Sequence, residues 1–378
     1  MDLGLYLHFP FCLSKCFYCD FNSYPLKSNQ QISSYISVLY KEIAMYSQKF
    51  KNINVITVYL GGGTPTILSS ELIYNILEFC KVNFKIDKNA EITVEANPGT
   101  LNGNKLKTLY TSGINRLSLG AQSFNDNLLK TIGRIHTSKD IIDSYYKARK
   151  AGFDNINLDL MFALPYQTLA DFQNSVQEAV SLNPDHLSIY SLTIGKNTIL
   201  FERYKKGNLI FTSEDEEYSM YCWVINFLEN KDFEHYEISN FARPSKRSIH
   251  NQIYWQNLPY LGIGAGACSF INGYRYINFK NPMKYIEAIE KGKYPVDEGE
   301  KLSVQKRMKE TIILGLRTKD GVSNKKFYNT FKVNIEKIFN QQIDKLTNLG
   351  LLRKDDYRIQ LTKKGILLAN NVFSEFVD

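Results

Sequence analysis

The sequence predicts an α/β fold, in which strand and helix patterns alternate through the first half of the chain. Three observations predict it. Six apolar strand patterns alternate with helical patterns up to about residue 195, five of these strands end in unusual polar or glycine residues, and the alternation stops past residue 200. We therefore predict six parallel βα units over residues 1–200, an α+β extension over 201–299 and a small winged-helix-like C-terminal domain over 300–378.

The predicted strands are short apolar runs, and helical spacing of apolar residues follows most of them. The strands are predicted at residues 3–8, 55–60, 91–95, 114–119, 155–160 and 186–190. The helices are predicted at residues 32–46, 70–82, 101–110, 140–151 and 169–182. Right-handed crossovers between parallel strands bring their carboxyl ends to one edge, where the chemistry of such folds gathers.

The pattern changes past residue 200. The acidic run 214–217 is interpreted as a helix start, because the helix dipole favours acidic side chains there, and 233–238 as a strand. The tail is predicted to hold helices at 301–316, 327–339 and 343–349, a strand at 357–361 and a final helix that opens at 362–365. Helices followed by a short β-wing are typical of winged-helix modules, many of which serve as packing or partner surfaces.

The composition is that of an ordinary soluble globular protein, with 44% hydrophobic and 22% charged residues. The net charge of +8 comes from 46 basic and 38 acidic residues. The basic residues are scattered in pairs, so we expect no nucleic-acid partner. No apolar run approaches the ~20 residues of a membrane span, and the chain runs directly into a strand without a secretory segment. We therefore expect a cytoplasmic protein with no transmembrane segment.

Three of the six cysteines, Cys12, Cys16 and Cys19, fall within eight residues after the first predicted strand. Three thiolates on one tight loop can bind three corners of an iron–sulfur cluster. A fourth ligand is not supplied locally, because the next polar side chains are those of Asp20 and Asn22. One iron would then stay open to a ligand that is not protein.

Two other uses of these cysteines stay open. A structural zinc site needs four closed positions and usually a second Cys-x2-Cys pair; His8 is available as a fourth ligand, but no second pair follows. Disulfides are typical of secreted proteins, and no secretory segment is expected here. The iron–sulfur cluster is the favoured interpretation.

A glycine-rich turn, Gly-Gly-Gly-Thr-Pro at residues 61–65, ends the second predicted strand. Glycines let the backbone approach a ligand closely and present its N–H groups to a carboxylate or an amino-acid main chain. A plain tight turn between strand and helix explains the same residues equally well. The turn alone leaves both interpretations open.

The segment 250–255, with the sequence His-Asn-Gln-Ile-Tyr-Trp, is the most informative stretch of the second half. His250, Tyr254 and Trp255 offer an iron ligand and flat stacking surfaces. From the residues alone, a surface turn with a hydrogen-bonded histidine is the favoured interpretation, because that is the commoner role of a lone histidine. The small-residue segment 261–268 lets the backbone pack tightly against a core or a ligand.

The spacing of the three cysteines resembles the signature of the radical S-adenosylmethionine (SAM) superfamily. A partial (β/α)6 barrel is common there, and the open iron of a 4Fe-4S cluster takes the amino and carboxylate groups of SAM. Together, residues 12–23, 61–65, 95–98 and 250–255 resemble the HemW family of heme chaperones, related to the oxygen-independent coproporphyrinogen III dehydrogenase HemN. The resemblance covers nearly the whole chain.

The resemblance implies three sets of binding residues and assigns none to catalysis. The cluster ligands are Cys12, Cys16 and Cys19. The residues that match SAM-binding positions are Tyr6, Tyr18, Gly62, Gly63, Thr64, Glu95, Gln122, Arg134 and Asp159. The heme contacts are His250, Tyr254 and Trp255. The implied cofactors are therefore a 4Fe-4S cluster, SAM and heme.

The resemblance also implies that heme passes to an acceptor protein, for which a membrane-bound respiratory protein is one candidate. Two features favour the chaperone over the dehydrogenase, which oxidatively decarboxylates a porphyrinogen. The dehydrogenase has a further cysteine at the position of Phe21 and a long extension ahead of its cluster loop. This chain departs from the family at Cys268, where many relatives have a histidine. If Cys268 contacts the heme iron, the ligand would change from imidazole to thiolate; if Cys268 only packs in the fold, heme ligation is unchanged. A nucleic-acid-modifying radical enzyme stays a third hypothesis.

Overall fold

The computed structural model describes residues 2–51 and 53–377, and one large mixed sheet dominates it. The strands are β1 (Asp2–Phe9), β2 (Phe11–Cys12), β3 (Tyr24–Pro25), β4 (Asn54–Gly62), β5 (Lys85–Ala96), β6 (Arg116–Gln122), β7 (Ile156–Phe162), β8 (His186–Ser191), β9 (Glu234–Glu237), β10 (Asn240–Ala242), β11 (Tyr260–Ile263), β12 (Cys268–Ile271), β13 (Tyr274–Asn278), β14 (Val296–Lys301), β15 (Val322–Ser323), β16 (Leu352–Lys354) and β17 (Arg358–Leu361). The helices are α1 (Asn29–Lys49), α2 (Ser70–Asn83), α3 (Gly103–Thr111), α4 (Asp126–Thr131), α5 (Ser138–Ala151), α6 (Leu169–Ser181), α7 (Ile199–Lys205), α8 (Glu214–Glu229), α9 (Ile249–Trp255), α10 (Pro282–Glu290), α11 (Val304–Leu316), α12 (Asn324–Phe331), α13 (Ile335–Asn348), α14 (Lys363–Leu367) and α15 (Ala369–Ser374), with a 3-10 turn at Pro65–Ile67.

The large sheet has the strand order β14-β13-β12-β11-β1-β4-β5-β6-β7-β8-β10-β9 and stays open over the described residues. Strands β1, β4, β5, β6, β7 and β8 are parallel neighbours, so the predicted α/β fold with six parallel strands is confirmed. Strand β11 pairs with β1 in parallel, and β12, β13 and β14 continue antiparallel. Strands β10 and β9 extend the opposite edge. The extension after residue 200 therefore adds strands to both edges of the same sheet.

Helix α8 begins where the acidic run predicts a helix start. The Ser213 hydroxyl accepts from the Glu216 N–H, while the Glu216 carboxylate accepts from the Ser213 N–H. This reciprocal cap satisfies two backbone donors that have no partner inside the helix. Helices α5 and α6 begin with the same arrangement. The prediction from 214–217 is confirmed.

The predicted bounds of two helices near the C-terminus are wrong. The predicted helix 327–339 is broken after Phe331, where Lys332 takes a left-handed φ of 59°, and α13 begins at Ile335. Helix α13 then continues to Asn348, with a kink at Phe339, instead of beginning again at 343. Apolar residues on both sides of the break are buried in the same core, so their spacing does not reveal where the chain turns.

The C-terminal residues form a small second sheet with its own apolar core. Strands β15 and β16 both pair antiparallel with β17, and helices α11 to α15 pack around them. Tyr221 and Ile225 of α8 pack against this core from the main body. The domain boundaries at residues 200 and 300 stay predictions. No helix of the described chain combines the length and the apolar character needed to cross a membrane.

A buried carboxyl group ties α1 to the turn after β11. Glu42 accepts hydrogen bonds from Gly264 N at 2.8 Å, Asn278 Nδ2 at 2.7 Å and Tyr285 Oη at 2.6 Å. Complete burial nevertheless raises the pKa of Glu42 from 4.5 to about 7. The charged form of this side chain is therefore disfavoured in the folded protein below neutral pH.

This raised pKa predicts a pH-dependent stability with a definite sign. Between pH 4.5 and about 7 the unfolded chain has lost the Glu42 proton that the folded chain keeps. The free energy of unfolding should therefore fall as pH rises through this window, by up to roughly 1.4 kcal/mol for each pH unit. Urea unfolding of the wild type and of Glu42→Gln at several pH values isolates the effect. Equal slopes in the two proteins would show that Glu42 titrates normally.

Candidate functional site

A cavity of about 370 Å³ opens at the carboxyl ends of the parallel strands, beside the cysteine loop. It contains all three candidate cluster ligands and most of the candidate SAM residues. The predicted residues that line it are Cys12, Cys16, Tyr18, Cys19, Gly62, Gly63, Thr64, Glu95, Gln122, Arg134 and Asp159. The strand ends therefore bring these side chains together as expected. Tyr6 and the three candidate heme contacts lie outside the lining.

Cys12 ends β2, and Cys16 and Cys19 lie on the loop between β2 and β3, which pair with each other in parallel. Cys12 is buried, Cys16 and Cys19 are half-buried, and all three are free thiols. Thr64 Oγ1 donates to Cys12 Sγ at 3.6 Å, and Arg134 Nη1 donates to Cys16 Sγ at 3.5 Å. Donors to sulfur stabilise a thiolate, which is the form that binds a metal. The loop therefore presents three thiols with polar support.

The zinc alternative is not supported by the arrangement of these side chains. Among residues 2–51 and 53–377, no group of three or more His, Cys, Asp or Glu is placed to hold a metal ion. His8 is buried, and its Nε2 lies 2.9 Å from Asn22 O while its Nδ1 lies 3.0 Å from Tyr6 Oη. Both ring nitrogens of His8 therefore make hydrogen bonds within the fold, and the side chain supports the cysteine loop. In a 4Fe-4S cluster each thiolate binds a different iron, so the three sulfurs need not converge on one ion.

The glycine turn after β4 is held against the cysteine loop by backbone contacts. Gly63 N donates to Phe9 O and Thr64 N donates to Phe11 O, both at 2.8 Å. A Cβ atom on Gly63 would lie 2.4 Å from Phe11 O, and Gly62 has a left-handed φ of 115°. Both positions therefore require glycine. The backbone of this turn therefore packs directly against the cysteine loop. A turn that only connects a strand to a helix would not need such a close contact.

Two half-buried carboxyl groups line the cavity from β5 and β7. Glu95 accepts from Tyr59 Oη at 2.8 Å and from Gly62 N at 3.1 Å. Asp159 accepts from Asn157 Nδ2 at 2.7 Å. Burial raises the pKa of Glu95 to about 7 and also raises that of Asp159. These groups can bind the hydroxyl or amino groups of a ligand.

Arg134 connects the strand ends to the cysteine loop. Besides Cys16 Sγ, its guanidinium donates to Asn97 Oδ1 at 2.6 Å and to Gly120 O at 2.5 Å. Its buried Nε has no partner among the described residues. Its partners are thus a thiol, an amide and a carbonyl, and no carboxylate within residues 2–51 and 53–377 pairs with it.

The three remaining SAM candidates differ in position. Tyr18 lies in the cavity lining, and burial raises the pKa of its phenol. Gln122 also lies in the lining and takes a left-handed φ of 68°, which non-glycine residues seldom adopt. Tyr6 lies below the lining, with its hydroxyl 3.0 Å from His8 Nδ1 and its ring centroid 6.4 Å from that of His250. Tyr6 therefore supports the cysteine loop through His8.

The segment 250–255 forms helix α9, so the interpretation of a surface turn is wrong. The Glu91 carboxylate of β5 accepts from Ile249 N at 3.0 Å and from His250 N at 2.9 Å, which fixes the start of the helix. His250 is only 1% exposed. Its Nδ1 lies 2.8 Å from Thr57 Oγ1, and its Nε2 lies 2.8 Å from Tyr254 Oη. Both ring nitrogens are therefore engaged within the fold.

Burial and the charge of Arg116 lower the pKa of His250 to about 3, so its imidazole is neutral at pH 7. Trp255, at the end of α9, lies under the guanidinium of Arg317, 4.5 Å from the ring centroid. The indole N–H of Trp255 is buried and has no partner among the described residues. Of the residues in this segment, Asn251 lines the cavity.

Several cavity residues were not identified from the sequence. They are Tyr59, Arg116, Ser118, Asn157, Ser188, Tyr190 and Asn251. A signal was present in β6 and β7, where polar residues alternate with apolar ones: Arg116, Ser118 and Gln122 share one face, while Leu117 and Leu119 share the other. Alternation of period two predicts that the polar set points to one side of the sheet.

Known relatives cover the whole length of the chain. Residues 6–179 match the model of the radical SAM superfamily, and residues 302–368 match that of the HemN C-terminal domain. The chain is 41% identical to the heme chaperone HemW of Lactococcus lactis, covering 98% of this chain and 96% of that protein. It is 38% identical to the heme chaperone HemW of Bacillus subtilis, covering 98% of each chain.

A solved structure agrees with these relatives. Coproporphyrinogen III oxidase (HemN) from Escherichia coli, described as a radical SAM enzyme, matches with a TM-score of 0.87 and 26% identity. The match covers 99% of this chain and 90% of that one. The similarity thus extends over the barrel strands, the extension and the C-terminal sheet. With identities of 41% and 38% over nearly full length, the chain belongs to the HemW family of the radical SAM superfamily.

Proposed function

We propose that this protein is a heme chaperone that binds heme, a 4Fe-4S cluster and SAM, and transfers heme to an acceptor protein. The observation that carries the proposal is the end-to-end similarity to relatives named heme chaperone HemW. Phe21 is 67% exposed beside the cavity. By resemblance, the related dehydrogenases carry a further cysteine at this position, so Phe21 favours the chaperone.

The donor set of the cavity fits a cluster with one open iron. Cys12, Cys16 and Cys19 would each bind one iron, and no other cysteine and no histidine lines the cavity within the described chain. When bound, such a cluster supplies single electrons to a ligand on its open iron. Thr64 and Arg134 would hydrogen-bond two of the cysteine sulfurs, and such bonds tune the reduction potential of a cluster.

The remaining lining fits SAM. The backbone of Gly62, Gly63 and Thr64 lines the cavity and lies so close to the cysteine loop that a Cβ on Gly63 would meet Phe11 O. Glu95 and Asp159 would accept hydrogen bonds from the amino and hydroxyl groups of SAM. Gln122 and Arg134 would supply donors, and Tyr18 would close the cavity beside the third cysteine.

Heme would contact His250, Tyr254 and Trp255 on α9. The imidazole of His250 is neutral at pH 7, and the neutral form is the one that binds a metal. Because Thr57 and Tyr254 engage both ring nitrogens, ligation exchanges one of these hydrogen bonds for a bond to iron. Loading of heme through His250 therefore requires a local rearrangement of α9.

The acceptor would be a protein, with a membrane-bound respiratory protein as one candidate, and the chaperone would act in the cytoplasm. The six cysteines of the chain are all free. Free thiols are typical of proteins in reducing compartments. The basic residues are dispersed along the chain in pairs, so the proposal includes no nucleic-acid partner.

The second candidate function is the oxygen-independent decarboxylation of coproporphyrinogen III. The fold match to HemN, with a TM-score of 0.87, favours it. Both functions would use the same cavity. The exposed Phe21 at the site of the additional cysteine argues against it.

A heme titration of the reconstituted protein tests the chaperone. We expect about one heme per chain, with a Soret band that shifts in His250→Ala and an affinity that falls at least about tenfold, or about 1.4 kcal/mol, as an iron ligand is lost. His136→Ala is the matched control, because His136 is also buried and its pKa is lowered to about 4. Unchanged binding by His250→Ala would place heme elsewhere. Decarboxylation of coproporphyrinogen with SAM and reductant, without heme binding, would establish the enzyme instead.

A further inference from the structure

An unpaired cation lies at the floor of the cavity. Arg116, at the start of β6, is 2% exposed and lines the cavity. Within residues 2–51 and 53–377 its guanidinium makes no hydrogen bond and no ion pair, and its buried Nε is without a partner. A buried charged donor that lacks a hydrogen-bond partner is destabilising. Because Arg116 also lines the cavity, a ligand bound there can complete its hydrogen bonds.

The nearby carboxylates do not complete them. Glu91 and Asp159 interact electrostatically with Arg116, yet each accepts its hydrogen bonds from other groups. Glu91 binds the N-terminus of α9, and Asp159 binds Asn157 and Ser118. Glu95, the third acidic group of the lining, is engaged by Tyr59 and Gly62. These carboxylates compensate the charge of Arg116, but they accept no hydrogen bond from its N–H groups.

A second polar group lines the same cavity from α9. Asn251 lies in the lining, and its side-chain amide makes no hydrogen bond among the described residues. Asn157, another amide of the lining, is saturated: its amide donates to Ser118 and Asp159, and its carbonyl lies within hydrogen-bond distance of Ser188 Oγ. The lining therefore contains one guanidinium and one carboxamide whose hydrogen-bonding groups are free to bind a ligand.

A second arginine of the lining lies beside the cysteines, where Arg134 donates to Gly120 O and to Cys16 Sγ. Arg116 lies four residues before Gly120 on the same strand, and this backbone separation corresponds to about 13 Å at a rise of about 3.3 Å per residue. Arg134 therefore contacts β6 near its carboxyl end, whereas Arg116 begins that strand.

We propose that Arg116 and Asn251 form a subsite that binds a carboxylate of the ligand in this cavity. A guanidinium presents parallel N–H donors that match the two oxygens of a carboxylate, and the Asn251 amide adds one more donor. Resting on the proposed function, the inference assigns this carboxylate to a propionate of the tetrapyrrole, because the amino-acid end of SAM would lie on the open iron beside the cysteines.

Four probes test this assignment and include the amino-acid carboxylate of SAM as the competing source. S-adenosylhomocysteine carries the amino-acid carboxylate, and methylthioadenosine lacks it; heme carries propionates, and its dimethyl ester does not. Dissociation constants are measured for the wild type, Arg116→Gln and Asn251→Ala. Arg307→Gln is the matched control, because Arg307 also has a buried Nε without a partner but lies on α11, outside the cavity lining.

We expect Arg116→Gln to weaken the binding of the carboxylate-bearing probe about 10- to 100-fold, which is the range for hydrogen bonds to charged groups. Asn251→Ala should cause a smaller loss of affinity. The corresponding probe without a carboxylate should bind all variants alike. A loss confined to heme supports the assignment, and a loss confined to S-adenosylhomocysteine would contradict it. If Arg116→Gln does not fold, Asn251→Ala decides, since the side chain of Asn251 makes no hydrogen bond within the described residues. Wild-type affinities in both variants would overturn the inference and leave the proposed function standing; a wild type that binds none of the probes would overturn both.

Discussion

Replacing Cys16 by alanine is expected to reduce the iron bound after anaerobic reconstitution from about four atoms per chain to less than about one. With Cys16 removed, two thiolates remain on the loop, and two irons of the cluster would lack protein ligands. Arg134 would also lose the sulfur to which it donates at 3.5 Å. Iron and sulfide analysis, together with the absorbance near 400 nm, measures the loss.

The matched control is Cys268→Ala. Cys268 is an exposed free thiol at the start of β12, outside the cavity lining. Its replacement should leave the iron content at the wild-type value. A cluster that survives in Cys16→Ala would contradict the assignment of the three ligands, and a cluster lost in Cys268→Ala would show that a thiol outside the loop takes part.

Gly63→Ala is expected to lower the free energy of unfolding of the cluster-free protein by about 1–3 kcal/mol, the usual cost of overpacking. The new Cβ would lie 2.4 Å from Phe11 O, 2.8 Å from Phe11 C and 2.9 Å from Phe11 N. These are backbone atoms, so no side-chain rotation relieves the clash. The shift would also break the hydrogen bond from Thr64 N to Phe11 O and displace the adjoining Cys12. Urea unfolding measures the change in stability.

Gly103→Ala serves as the control for this substitution. A Cβ on Gly103 would meet no atom within 4 Å, and Gly103 begins helix α3. Alanine is the better helix former, so this variant should unfold at the wild-type denaturant concentration or above it. Equal destabilisation of the two variants would mean that the effect comes from the loss of glycine flexibility and not from contact with the cysteine loop.

The sequence was sufficient to locate the cavity because its signals are local. Alternating strand and helix patterns predicted the six parallel strands, and the rule that parallel strand ends share one edge placed residues 12–19, 61–65 and Glu95 together. The structure places these residues in one lining. The roles of these side chains in binding remain predictions that rest on the family.

The misinterpreted features depend on contacts between distant residues. Helix α9 is capped by Glu91, which precedes His250 by 159 positions in the chain, and no pattern within 250–255 reveals that cap. The strands that extend both sheet edges likewise depend on pairing with β1 and β8. Arg116 is different, because its alternation with Leu117 was visible and only the sheet could show that its face lines a cavity.

Strand β5 carries Glu91 and Glu95 four residues apart, one bonded to the start of α9 and the other to the glycine turn. A single stiff element thus holds the proposed heme helix and the proposed SAM turn. Two binding events that share such an element obey reciprocal linkage: the factor by which SAM changes the affinity for heme equals the factor by which heme changes the affinity for SAM. One pair of titrations, each repeated with the other ligand at saturation, therefore has a built-in consistency check, and the logarithm of the common factor gives the coupling free energy between the two sites.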